Sequence, residues 1–171
     1  MTKLLCAAIV AASFISCNNT MNNPLLVKST NQYEAPAFDK IKSEHFLPAF
    51  REAIKEANRE IAAIAENKEQ PTFQNTIVAL SLAGETLNRV SGIFFNILEA
   101  NTDSLLQKTA EEISPELTKR NLSILFNEKL FRRVKTIYDK KDELNLDKED
   151  TKLLKETYKL FADNGANLSK E

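Results

Sequence analysis

The stretch QPTFQNTIVALSLAGETLNRVSGIFFNIL, from Gln70 to Leu98, decides the fold class of this chain. Its apolar residues recur every three or four positions, which places them on one face of an α-helix. The stretch is too long for an ordinary strand, so the pattern predicts one continuous helix. The predicted apolar face consists of Phe73, Ile77, Leu80, Gly84, Leu87, Val90, Phe94 and Ile97.

Gly84 lies within this apolar face. A glycine in a helix interior costs about 1 kcal/mol relative to alanine. The absence of a side chain also lets another backbone approach closely. We therefore expect a neighbouring helix to pack against Gly84.

The same helical spacing occurs before this stretch. Ser43 is the predicted N-cap of the preceding helix, and Pro48 fits in its first turn, where a missing N–H does little harm. The predicted apolar face of this helix consists of Phe46, Phe50, Ile54, Ala57, Ile61 and Ile64.

Further helices are predicted after residue 101. One begins at Thr102 or Asp103, and Pro115 is expected to end it or to start the next. The last begins at the N-cap Asp147 and stops at Gly165. The residues expected to face inward are Leu105, Leu106, Thr109, Ile113, Leu130, Phe131, Val134, Ile137, Tyr138, Leu153, Leu154, Tyr158 and Phe161. The predicted fold class is all-α, an array of about five or six mostly antiparallel amphipathic helices.

The composition indicates a helical protein without a basic face. The chain has 171 residues, 43% of them hydrophobic and 27% charged, and this length favours one domain. Lys and Arg number 23 and Asp and Glu number 24, interspersed along the chain, which gives a net charge of −1. This balance argues against a nucleic-acid partner, which would need a basic surface.

Residues 1–17 are predicted to be a lipoprotein signal peptide. Lys3 precedes the apolar run Leu4 to Ile15, which is shorter than the roughly 20 residues of a membrane span. The run ends in Phe-Ile-Ser-Cys, which resembles a bacterial lipobox with Cys17 as the lipidated residue and Phe14 where Leu is usual. Cys6 lies inside the apolar run and is a poor candidate. The alternative is an ordinary signal peptide in which Cys17 is incidental.

Residues 18–38 are rich in Asn, Thr, Ser and Pro and predict a tether and extended arm, and residues 39–171 form the helical segment. Asn18 follows Cys17. By resemblance to other lipoproteins, an Asp at this position would favour retention in the inner membrane, and this chain does not have it. We therefore expect a periplasmic domain held by a lipid anchor, in the outer membrane of a Gram-negative host.

Few residues of this chain are suited to catalysis. His45 is the single histidine, whereas a hydrolytic zinc site usually needs three protein ligands, so His45 is interpreted as a surface or capping residue. Glu111 and Glu112 are adjacent and point to different sides of a helix, which indicates a solvated face. The residues alone predict a binding, structural or accessory domain, with no catalytic residue and no metal ligand.

Four segments carry a resemblance to a known family. They are FDKIKSEHFLPAFREAIKEANREI, PTFQNTIVALSLAGETLNRVSGIFFNI, NEKLFRRVKTIYDKKDELNLDKED and LLKETYKLFADNGANLS, in this order. Together they resemble the N-terminal region of the thimet-oligopeptidase family of zinc metallopeptidases, with most similarity to the bacterial peptidyl-dipeptidase branch. The resemblance covers nearly all of residues 24–171.

The resemblance implies the N-terminal lobe of a larger helical clamshell peptidase that cleaves short peptides. In that family zinc is held by a His-Glu-x-x-His helix and a downstream Glu, and the Glu of the motif activates the zinc-bound water. This motif does not occur between Met1 and Glu171, so no catalytic, metal or substrate-binding residue is transferred to this chain and zinc is implied only for the full-length enzyme.

Three functions remain open from the sequence. The first is an inactive N-terminal fragment of a lipid-anchored peptidyl-dipeptidase. The second is a non-enzymatic helical lipoprotein that uses the lobe for binding or as a scaffold. The third is a split enzyme that is completed by a separate chain. For a fragment, apolar faces meant for absent helices would be exposed, and the isolated chain is expected to be marginally stable, oligomeric or chaperone-bound.

Overall fold

The computed structural model describes residues 23–166, and this part of the chain contains helices and no strand. The prediction of an all-α fold is confirmed. The α-helices are α1 (Phe46–Ala65), α2 (Ala79–Leu82), α3 (Glu85–Ala100), α4 (Ser104–Leu125), α5 (Glu128–Tyr138) and α6 (Lys148–Phe161). A π-helical segment, Phe73–Val78, leads into α2, and short 3₁₀ turns cover Gln32–Glu34, Ser43–His45 and Lys141–Glu143.

The N-terminal half of α1 packs with α3 and α4 in one hydrophobic core. The rings of Phe46 and Phe50 both lie 5.1 Å from the ring of Phe94, centroid to centroid. These separations are typical of favourable aromatic pairs. Leu106 and Ile113 close this core from α4.

The C-terminal half of α1 contributes to a second core, with the π-helical segment, α5 and α6. Phe131 of α5 stacks between Tyr158 and Phe161 of α6, with ring centroids 6.0 Å apart in each pair. Tyr138 stacks on Tyr158 at 3.8 Å. One continuous helix therefore forms a wall of both cores.

The contacts along α1 give the directions of its neighbours. The start of α1 meets Phe94 late in α3, whereas Ala57 lies beside Gly84 at the start of α3. These two helices are therefore antiparallel. By contrast, α1 and α4 run parallel, because Arg51 pairs with Glu112 further along both helices than the contact between Ser43 and Asp103.

The prediction of one helix over residues 70–98 is wrong. Ala83 is extended and Gly84 has a φ of +83°, so the chain leaves the helix and re-enters it at Glu85. A left-handed conformation costs L-residues free energy but is readily adopted by glycine. The Gly84 N–H donates to the carboxylate Oε2 of Glu60 at 2.6 Å, so the break has a hydrogen-bond partner in α1.

The expected close approach at Gly84 is confirmed. A Cβ atom at this position would lie 3.6 Å from Ala57 Cβ and 3.4 Å from Nη2 of Arg120. Burial lowers the pKa of the Arg120 guanidinium, and the nearby Glu60 carboxylate opposes that shift. At Gly84, the start of α3 therefore contacts both α1 and α4.

The prediction that Pro115 ends a helix is also wrong, because α4 runs through it from Ser104 to Leu125. Pro115 is exposed. Its ring removes one backbone donor and leaves the carbonyl of Glu111 without its helical partner, but on this side of the helix water can solvate that carbonyl. Leu105 was expected to face inward and is instead 43% exposed.

The predicted starts at Asp103 and Asp147 and the predicted stop at Gly165 agree with the structure. The side chains of Asp103 and Asp147 accept hydrogen bonds from the N–H groups of Leu106 and Asp150, as N-caps do. Gly165 has a φ of +88° just after α6, as expected of a glycine that stops a helix.

Asn23 and Leu25, at the start of the described part of the predicted tether, are packed on the helices, whereas Tyr33 and Phe38 are exposed. Leu25 is 1% exposed and belongs to the core of α1, α3 and α4. The Asn23 side chain holds this turn, since its Oδ1 accepts from the Leu25 N–H at 3.0 Å and its Nδ2 donates to the His45 carbonyl at 2.7 Å. This part of residues 18–38 is therefore not a free linker.

Candidate functional site

His45 closes the 3₁₀ turn Ser43–His45, which leads directly into α1. Its Nδ1 accepts a hydrogen bond from the Lys42 N–H at 3.1 Å, and its carbonyl accepts from Asn23. The interpretation of His45 as a surface or capping residue is confirmed. The prediction of Ser43 as the N-cap is wrong, because α1 begins at Phe46 and Ser43 lies in the preceding 3₁₀ turn. The Ser43 hydroxyl donates to Oδ2 of Asp103 at 2.5 Å.

Asp103 joins the starts of α1 and α4. One carboxylate oxygen accepts from Ser43, and the other accepts from the Leu106 N–H at 2.8 Å. The Ser43 hydroxyl and then the backbone N–H hold the pKa of Asp103 below its usual value. Both bonds favour the ionised form, so this joint is strongest when Asp103 is charged.

The adjacent carboxylates on α4 differ in their surroundings. Glu111 is exposed, as predicted for a solvated face. Glu112 is half-buried and pairs with Arg51 of α1, which the sequence did not predict. The pair is structural, because it links two parallel helices that already share a core.

Within residues 23–166, no group of three or more His, Cys, Asp or Glu side chains is arranged to hold a metal ion. A hydrolytic zinc site needs about three such ligands. The described residues therefore do not fit a zinc ion.

Arg133 is a structural residue that sequence reasoning missed. It is 7% exposed, and Nη1 donates to the carbonyls of Asn67 and Glu69 at 2.7 and 3.0 Å, while Nη2 donates to Oδ1 of Asn75 at 3.0 Å. The loop before the π-helical segment is thereby fixed to α5. The sequence did indicate that Arg133 faces inward, because it follows the inward-facing Leu130 by three residues and so lies on the same side of the helix.

The outer face of α4 was missed as well, because the helix was expected to break at Pro115. Leu122 lies nine residues after the buried Ile113, about two and a half turns, so the two side chains point in opposite directions. A shallow, open and mainly apolar surface runs along this side. We call it the outer face of α4, and its residues are Ala110, Glu111, Ser114, Pro115, Thr118, Lys119 and Leu122.

Comparison with known proteins identifies relatives of this chain. A dipeptidyl carboxypeptidase of Escherichia coli strain K12 is 41% identical over 150 residues, which are 88% of this chain. A dipeptidyl carboxypeptidase of Salmonella typhimurium is 38% identical over 149 residues, and oligopeptidase A of Escherichia coli is 22% identical over 151. These matches agree with the similarity of this chain to the N-terminal region of the thimet-oligopeptidase family. No family model matches it.

The aligned region is a small part of these family members. It covers 22% of the length of each of the three relatives. The relatives are peptidases by name, and this agrees with the resemblance to the N-terminal region of such an enzyme.

Two further predictions concern the membrane. No helix among the described residues is long and apolar enough to cross a bilayer. The predicted signal peptide and lipidation site, including Cys6 and Cys17, lie outside residues 23–166.

Proposed function

We propose that this chain is the N-terminal, non-catalytic part of a zinc-dependent peptidyl-dipeptidase or oligopeptidase that hydrolyses short peptides. The observation that carries the proposal is the 41% identity to a dipeptidyl carboxypeptidase over 88% of this chain. In this proposal the lobe helps to enclose a peptide, and zinc is bound by a His-Glu-x-x-His helix outside these residues.

The test is to read the DNA beyond the codon for Glu171 in all three forward frames. A His-Glu-x-x-His sequence followed by a downstream Glu codon supports an enzyme whose front end is this chain, intact or broken. If the motif is missing there, the fragment hypothesis fails. The binding lipoprotein and the split enzyme then remain, and mixing with a zinc-bearing chain of the family separates them by the activity that appears.

We also propose that Cys17 carries a lipid anchor that holds the domain in the periplasm, at the outer membrane. The support is the apolar run of residues 4–15 followed by Ser16 and Cys17. Metabolic labelling with an alkyne fatty acid is expected to mark the wild-type chain and Cys6→Ser equally. Labelling is expected to disappear in Cys17→Ser, and a labelled Cys17→Ser chain would refute the anchor.

A further inference from the structure

We propose that the outer face of α4 is the surface on which the catalytic part of the peptidase packs. This inference rests on the proposed function and specifies where the two parts meet. Of the residues of this face, only Ala110 packs against a core of the described residues.

The inner side of α4 is the side that packs in the core. Leu106, Thr109 and Ile113 are each at most 2% exposed and face α1 and α3. The outer face nevertheless carries apolar side chains, including Leu122, which is 46% exposed. Phe126 follows Leu122 by four residues, one helical turn, and is 63% exposed, so it extends the same side.

The chemistry of this face suits a protein interface. Its charged members are Glu111 and Lys119, one of each sign. The core of an interface is depleted of charge and its rim is polar. Another surface depression, on α6, surrounds the exposed Leu160 with Glu156, Lys159 and Asp163 and is much more charged.

The length of the relatives indicates the occupant. Since the aligned region covers 22% of the E. coli enzyme, most of such a protein lies outside it and must contact this lobe. A standard interface buries about 800 Å² on each partner. With its 22 residues, α4 is roughly 33 Å long and offers one continuous strip for part of that area.

The experiment replaces the aligned segment of the E. coli dipeptidyl carboxypeptidase with the matching residues of this chain. The chimaera is compared with this chain alone, in which Cys6→Ser and Cys17→Ser remove the native cysteines. Each of the two proteins then carries either Thr118→Cys or the control Thr136→Cys. Other cysteines of the chimaera are replaced, and a maleimide measures thiol access.

The two threonines are closely matched. Both are exposed on a helix, and both hydroxyls donate to the carbonyl four residues earlier, at 3.0 Å for Thr118 and 2.8 Å for Thr136. Thr118 lies on the outer face of α4, whereas Thr136 lies on α5. In the chain alone, the two cysteines are expected to react at similar rates.

In an active chimaera, labelling of Thr118→Cys is expected to slow by about tenfold or more, because a covered thiol reacts only through local opening. The Thr136→Cys rate is expected to stay unchanged. An active chimaera in which Thr118→Cys reacts as fast as in the chain alone overturns the interface and leaves the proposed function standing. A chimaera that releases no dipeptide, beside an active cysteine-free parent, counts against the proposed function and this inference together.

Discussion

The break at Gly84 gives a prediction in which one chemical change has opposite effects at two positions. Gly84 has a φ of +83°, whereas Gly92 lies inside α3, and a Cβ added there would have no atom within 4 Å apart from its own turns of helix. Alanine at Gly84 must adopt a left-handed conformation, which costs about 1–2 kcal/mol. Alanine at Gly92 removes a helix-interior glycine and stabilises by about 0.5–1 kcal/mol.

The new Cβ at Gly84 adds little steric cost. Its nearest neighbours would be a flexible guanidinium at 3.4 Å and a methyl group at 3.6 Å, the second of which is ordinary van der Waals contact. The backbone conformation therefore sets the magnitude. For a chain of this size each kcal/mol moves the Tm by about 2–4 °C.

Thermal unfolding followed by circular dichroism at 222 nm measures both variants. We expect Gly84→Ala to lower the Tm by roughly 2–8 °C and Gly92→Ala to raise it by roughly 1–4 °C. A continuous helix over residues 70–98 would instead make both variants more stable. A higher Tm for Gly84→Ala would therefore refute the break and the role of Glu60 as its acceptor.

Three further variants test the joints of the fold. Arg133→Met loses the three hydrogen bonds to the loop and is expected to cost about 2–3 kcal/mol in urea unfolding, whereas the exposed Arg132→Met should change stability by about 0.5 kcal/mol or less; equal losses would contradict the role of Arg133. Asp147→Ala removes the N-cap of α6 and should cost about 1 kcal/mol, and an unchanged urea midpoint would count against the cap. For Asp103→Asn the pH sets the effect: the pKa of Asp103 is lowered in the folded state, so its stabilisation is present above the usual pKa and is lost as the pH falls. The stability of the wild type should therefore approach that of Asp103→Asn below about pH 4, and a difference that stays constant with pH would refute the Ser43 contact.

Sequence periodicity predicted the helices where the chain has no competing signal. The face of α1 recurs at steps of three and four, and of its predicted residues Phe46, Phe50, Ala57, Ile61 and Ile64 are buried. The cap Asp147 was also recognised, and Asp103 was one of the two residues proposed as the start of α4, because a cap is a local interaction between a side chain and the next turn. Such features depend on neighbours within about four residues.

The errors arose where a distant partner or the solvent determines whether a helix continues or breaks. The period of apolar residues continues across Gly84, so the pattern hides the break, and its acceptor Glu60 lies 24 positions away. Pro115 shows the reverse error. A local rule predicts a break, but the buried Leu106 and Ile113 before Pro115 and the half-buried Leu117 after it pack on one core and keep the helix continuous.

The candidate interface was missed because of the error at Pro115. Splitting the helix at Pro115 assigned Leu122 to a separate element, so its position opposite Ile113 could not be seen. The family, by contrast, was recognisable from the sequence, because resemblance depends on residue identities along the chain and does not require correct helix boundaries.

Most of the apolar residues that the sequence predicted to face inward are covered, and Leu105 is an exception. The expectation of exposed faces on a fragment referred to the stripes of the predicted helices, but Phe50, Phe94, Val134 and Leu154 are completely buried within this chain. Because α1 forms a wall of both cores, opening either core exposes part of the same helix, and this couples their unfolding. The described residues therefore satisfy their own stripes and leave the outer face of α4 uncovered. This arrangement suits a lobe that folds as a body and then docks through one helix.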